Sequence, residues 1–156
     1  MIRQSYTSIV GLSSVETKEK GSKFIGLAVC CLNEEEVKNQ LEVWHQDHPQ
    51  ATHICYAYRL GIEGELWRAN DDGEPNNSAG VPIYGQILSS ELTNVLVGVV
   101  RYYGGTKLGV GGLVQAYKQA AKEVLEVATR KEYQLNDFYS VKVNYLEMPH
   151  VMNVLK

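Results

Sequence analysis

The run Asn94-Val95-Leu96-Val97-Gly98-Val99-Val100-Arg101-Tyr102-Tyr103-Gly104-Gly105-Thr106-Lys107-Leu108-Gly109-Val110-Gly111-Gly112-Leu113 decides how this chain folds. Its first part, Asn94 to Arg101, is the most apolar stretch and lacks polar alternation, the pattern of a strand buried on both faces. Glycines then interrupt it. Beyond them Leu113, Ala116, Tyr117, Ala120, Ala121, Val124, Leu125 and Ala128 recur at spacings of three and four, which predicts an amphipathic helix. A buried strand feeding a helix through a glycine turn predicts a mixed α/β (α+β) domain.

The flanking segments supply the rest of the layer. Ser22 to Leu32 is a second apolar strand, with Lys20-Gly21 as a turn before it. Val15 to Lys20 is polar and alternating, and fits an edge strand paired through that turn. Asn33 is placed to cap a helix, with Glu36 closing a capping box and Glu34-Glu35-Glu36 at the positive end of the dipole. Val37, Leu41 and Trp44 mark its inner face, and Pro49 stops it. Thr52 to Leu60 alternates, Gly61 to Gly64 turns, and Glu65 to Ala69 returns as an antiparallel hairpin. Asn70 to Gly80 reads as a polar loop, and Pro82 as the first residue of a short helix bearing Ile83, Ile87 and Leu88. Thr129 to Asp137 reads as polar linker, Tyr139 to Tyr145 as a strand and Pro149 to Lys156 as a helix start. The expected organisation is one domain over residues 1–130, a linker over 131–137, and the stub of a second, truncated domain over 138–156.

The chain has 156 residues, a formal net charge of −3 and a sequence pI near 5.8. That balance disfavours a whole-surface nucleic-acid binder and leaves room for a local basic patch. Three cysteines form no disulfide framework and fit a reducing compartment. The first residues contain no apolar leader segment. The longest apolar run, Val95 to Val100, is far short of the roughly 20 residues of a membrane span. A soluble, cytoplasmic protein without membrane attachment is expected.

Two loops carry candidate chemistry. Gly104, Gly105, Gly109, Gly111 and Gly112, with Lys107 among them and Arg101 and Tyr102 before them, sit where a helix begins. Backbone amides there attract anions, and glycines allow close approach of a phosphate. The spacing matches neither a P-loop nor a dinucleotide fingerprint, so tight turns and close packing are the other reading. Asp71, Asp72 and Glu74 supply three carboxylates in four residues. They suit Mg²⁺ with a phosphate, or a turn whose Asp side chains cap amides while a nearby Arg is paired. In an α/β domain these loops are expected to be neighbours, joined by an Asp–Arg or Asp–Lys pair.

Other groupings are weaker. His53 and Cys55 share a strand face and, with Cys30 or Cys31, are zinc-type ligands, but no ligand spacing supports a site. The thiols are expected to be reduced and metal-free. A Cys–His nucleophile lacks an orienting third group. Ten tyrosines, among them Tyr56, Tyr58, Tyr102, Tyr103 and Tyr117, suit either base stacking beside arginines or ordinary strand and interface packing. A positive patch is expected from Arg59, Arg68, Arg101, Lys107 and Lys118. No catalytic residue, metal or cofactor is assigned.

Four stretches together resemble the IMPACT/YigZ family. They are Gly21-Ser22-Lys23-Phe24-Ile25; Ala51-Thr52-His53-Ile54-Cys55-Tyr56-Ala57; Asp71-Asp72-Gly73-Glu74-Pro75 with Ser78-Ala79-Gly80 and Pro82; and Asn94 to Val97 through Arg101-Tyr102, Gly104-Gly105, Lys107-Leu108-Gly109 and Gly111-Gly112-Leu113 to Ala116-Tyr117. They run in order over residues 21–117. Gln115 departs from the Arg usual in the family, and Asn76-Asn77 from a usual Ser-Gly. The resemblance implies a two-layer domain similar to ribosomal protein S5 domain 2, followed by the start of a ferredoxin-like domain. It also implies a non-enzymatic, translation-linked regulatory or binding protein that contacts RNA or a ribosome-associated partner. The kinase restraint attributed to eukaryotic members does not transfer in detail, and no established catalytic residues come with the family. Two alternatives stay open. One is a phosphate-handling enzyme using the acidic loop with a metal and the glycine loop as anion cradle; the other is a pure protein-interaction module.

Overall fold

The structure is a computed structural model and describes residues 5–134. Along the chain it forms β1 (Ser5–Val10), β2 (Leu12–Glu19), β3 (Ser22–Cys30), α1 (Glu34–Asp47), β4 (His53–Leu60) and β5 (Leu66–Asn70), then α2 (Gly80–Ser89), β6 (Val95–Tyr102), α3 (Gly109–Val127) and β7 (Thr129–Gln134). Five strands make the main sheet in the order β2-β3-β6-β4-β5, and every neighbouring pair is antiparallel. The fold is mixed α+β.

The apolar run of β6 lies at the centre of this sheet because both of its faces are covered. Val95, Val97 and Val99 pack with Phe24, Ile83, Ile87, Tyr117, Ala120 and Val124 under α2 and α3. Leu96 and Val100 pack with Leu27, Val37, Trp44, Ile54 and Tyr58 under α1. The sheet with α2 and α3 forms the two main layers, and α1 lies across the opposite face. Gly98 explains how α1 approaches so closely. A Cβ placed there would lie 2.5 Å from Cζ3 of the Trp44 indole, so the ring occupies the volume that any other residue would need.

Local signals set most boundaries. The Glu36 amide donates to Asn33 Oδ1 at 2.9 Å, and Glu36 Oε1 accepts the Leu32 amide at 2.8 Å, so the capping box closes one residue earlier than its usual form. Lys20, at φ 47°, and Gly21 turn β2 into β3. Pro82 is the third residue of α2, not the first. It still lies in the first turn, where its missing amide has no intrahelical partner to lose.

The largest departure from expectation concerns the linker. Residues 131–134 of the stretch 131–137 belong to β7, which pairs antiparallel with β1 and sets Ser5 opposite Gln134. Its sequence, Thr-Arg-Lys-Glu-Tyr-Gln, has no apolar alternation because the strand is almost wholly exposed. Only Tyr133 is half-buried, stacked on Tyr6 with ring centroids 5.2 Å apart. The expected stub over 138–156 lies outside the described residues.

Candidate functional site

The acidic loop folds back on the end of β6 through three residues of positive φ, Asp72, Gly73 and Asn77. This turn buries Glu74 to 8% exposure against Arg101, itself 5% exposed. Arg101 Nη1 lies 2.8 Å from Glu74 Oε2, and the Tyr117 hydroxyl donates to the same oxygen at 2.5 Å. Arg101 Nη2 reaches Ser22 Oγ at 3.3 Å, and Ser22 Oγ also accepts the Gly104 amide at 3.1 Å. His53 sits at the rim. Its Nδ1 is 2.7 Å from the Asp72 carbonyl, which can only accept, and its Nε2 is 3.6 Å from Glu74 Oε1. The Cys55 thiol donates to the Asp71 carbonyl at 3.0 Å. Burial pushes the Cys55 thiol and the Tyr117 hydroxyl well above their ordinary pKa, so both stay protonated as donors.

The two loops are neighbours, but the expected Asp–cation pair is not the one that forms. The paired carboxylate is Glu74. Asp71 instead accepts backbone amides, Asn77 at 2.9 Å through Oδ2 and Ala79 and Gly80 at 3.1 and 2.8 Å through Oδ1. It thereby serves the start of α2, whose cap residue Ala79 offers no side-chain bond. Asp72 Oδ2 accepts the Ile54 amide at 2.7 Å. These two carboxylates are anchors of the turn.

The glycine run divides in two. Gly104 lies against Gly21, where a Cβ would stand 2.0 Å from a backbone carbon, so packing demands glycine. Gly109, Gly111 and Gly112 are in the first turn of α3, which has no side-chain cap. Tyr103, Gly105, Thr106 and Lys107 are exposed.

The five cations expected to share a patch do not. Arg101 is buried. Arg59 sits opposite Val95, at the other end of the sheet from Arg101, and donates to the Leu92 carbonyl at 2.9 Å. Arg68 is on β5, and Lys118 is exposed on α3. Arg59 and Arg101 occupy opposite ends of paired strands, which alternation alone does not reveal. The lysines that do gather were missed. Lys18 pairs with Lys23 across β2 and β3, and Lys20 sits in the turn between them. Lys23 Nζ lies 4.9 Å above the Tyr102 ring, whose hydroxyl meets His48 Nδ1 at 2.6 Å. The Gly21–Gly104 contact sets this tip beside the loop that carries Lys107. Lys-Glu-Lys-Gly-Ser-Lys over 18–23 was the available signal.

Of the tyrosines proposed to stack on bases, Tyr117 is fully buried and Tyr58 donates to Glu34. Tyr103 is 48% exposed and Tyr102 is half-buried. Cys30, Cys31 and Cys55 are free thiols, and burial pushes Cys31 up to about 12. Among the described residues, no three His, Cys, Asp or Glu side chains gather as metal ligands, and no helix is long and apolar enough to cross a membrane.

An antiparallel α+β sheet whose central strand ends in a sealed Glu–Arg–Tyr network, with a glycine turn over it, defines a class of small domain. The chain belongs to the IMPACT family, since residues 20–125 match the Impact N-terminal domain. It is 32% identical over 152 residues to the IMPACT family member YvyE of Bacillus subtilis, covering 97% of this chain and 70% of that protein. A crystal structure described as an hypothetical protein superimposes with a TM-score of 0.83 at 27% identity, covering 95% of this chain and 78% of the other. The two-domain translational regulator Yih1 superimposes with a TM-score of 0.50 at 25% identity, covering 76% of this chain and 47% of Yih1.

Proposed function

We propose that the chain is a non-enzymatic, translation-linked regulatory protein that contacts RNA or a ribosome-associated partner through the lysine tip of its sheet. The description of Yih1 as a translational regulator supports the setting. The observation that carries the reading is the placement of Lys18, Lys20 and Lys23 beside the exposed Tyr103–Lys107 loop. Glu19 stands between Lys18 and Lys20, so the tip sets three lysines against one carboxylate. The phosphate-handling alternative is less well supported, because a metal at the acidic loop would displace amides held by Asp71 and Asp72.

Sedimentation of the purified chain with ribosomes tests this. Binding is expected at low salt. With about three phosphate contacts, affinity falls roughly 20- to 40-fold between about 50 and 200 mM salt. Lys23→Glu and Lys107→Glu should each weaken it. A chain that stays at the top of the gradient at low salt overturns the proposal. Salt-insensitive binding retained by both variants points to the pure protein-interaction module.

A further inference from the structure

We propose that the ring of Tyr103 is a stacking platform for an unpaired base, and that the partner of the lysine tip is single-stranded RNA. The assignment rests on the lysine-tip reading and names its partner. Tyr103 follows β6, and its ring lies over the last inward-facing residue of that strand. The Arg101 guanidinium carbon is 5.5 Å from the ring centroid, and Arg101 is buried. One face of the ring is therefore backed from inside the domain. Tyr103 is nevertheless 48% exposed, which suits a planar side chain with one face covered and the other open. Among the described residues no second aromatic ring stacks on it.

The backbone beneath the ring is held on both sides. The Tyr103 amide donates to Thr52 Oγ1 at 2.9 Å, and the Gly104 amide donates to Ser22 Oγ at 3.1 Å. A platform fixed before its ligand arrives lowers the ordering cost of binding. Gly105, at φ 89°, has open space where a Cβ would stand, so no neighbouring side chain walls off the approach. The other tyrosines of this sheet are engaged. Tyr102 carries the Lys23 ammonium over its ring, and its hydroxyl meets His48. Tyr56 and Tyr58 lie parallel to each other, and Tyr58 donates to Glu34.

Charge sets the direction of the strand. Lys23 is opposite Tyr102 in the register, one residue before the platform, and Lys107 follows in the same exposed loop. Asp71 and Asp72 lie on the other flank, where β4 begins, with Asp72 held to His53 and Ile54. A polyanion stacked on Tyr103 therefore runs toward the lysines and away from the acidic loop. Lysines alone would accept any polyanion, duplex included. A bare aromatic face beside them favours a strand whose bases are free to stack on it. An acidic protein segment answers the lysines only, whereas RNA brings a phosphate and a planar base in every unit.

Fluorescence anisotropy tests this on the full chain, with a labelled RNA of about 12 nucleotides, free or annealed to its complement. The single strand should bind roughly tenfold more tightly than the duplex, and Tyr103→Ala should lose about tenfold on the single strand. Tyr103→Phe keeps the ring and should bind as the parent does. Tyr103→Leu is apolar without a ring and should match Tyr103→Ala, with circular dichroism as the check on folding. Loss of the ring should leave the salt dependence unchanged, whereas Lys23→Glu should flatten it. Equal binding of duplex and single strand overturns the proposal, as does a Tyr103→Leu variant that binds like the parent. In either case ribosome sedimentation that still responds to Lys23→Glu keeps the lysine-tip reading, with phosphate or a protein as its target. Ribosome binding without any RNA binding overturns the proposal in favour of a protein partner. If neither RNA nor ribosomes bind, both readings fall.

Discussion

Replacing Glu74 by Ala is expected to destabilise the domain by about 3–5 kcal/mol, because it strands the Arg101 guanidinium in the interior. Arg101 is 5% exposed, and Glu74 is its only carboxylate partner among the described residues. The same change frees the Tyr117 hydroxyl, which is fully buried and donates to Glu74. Urea denaturation followed by far-UV circular dichroism measures the loss. The double variant Glu74→Leu with Arg101→Met should recover much of it, since an apolar pair of similar volume often matches a buried ion pair. Asp72→Ala removes a carboxylate that holds one amide, and should cost only about 1–3 kcal/mol. A Glu74→Ala loss below about 1 kcal/mol would mean that the pair is open to solvent and behaves as a surface salt bridge.

Gly98→Val should cost about 3 kcal/mol or more by overpacking. A Cβ at this position already lies 2.5 and 3.0 Å from two indole carbons of Trp44, and neither partner has room to move. Gly98 is in a strand buried on both faces, and Trp44 is 2% exposed under α1. The clash must displace α1 from the sheet. Thermal melting reports the loss, and the near-ultraviolet circular dichroism of the indole reports the displacement. Trp44→Leu in the Gly98→Val background should be less harmful than in the parent, because the two sites share one volume. Independent, additive effects would show that the ring does not fill the glycine gap.

Much of the framework was legible because burial writes itself as period. β6 read as doubly buried and is; α3 showed its inner face at three-and-four spacing; Asn33 announced the start of α1. The ribbon strand β7 was invisible, since an exposed strand has no apolar face to reveal it. The site was half legible. Composition marked the acidic loop and the glycine run, and their adjacency followed from topology. Which carboxylate turned inward did not, because it depends on positive-φ residues at Asp72, Gly73 and Asn77. Tyr117 read as one more residue of the α3 stripe and as one of the tyrosines suited to stacking or packing. Its hydroxyl acquires a role only once α3 packs over β3 and β6.

The pairing of Ser5–Val10 with Thr129–Gln134 also imposes an order on synthesis. The first described strand to emerge from the ribosome has as its partner the last. β2 and β3 can zip across the Lys20-Gly21 turn as soon as both have emerged, whereas the ribbon must close a loop spanning nearly the whole described chain. Although β1 also packs on β3, two of its hydrogen bonds wait for the middle of the chain. Ser8 Oγ bonds the carbonyl of Asn94, and the Thr7 carbonyl receives the amide of Thr93, both at the entry to β6. The strand made first thus waits through the translation of most of its own domain and is among the last to find its place.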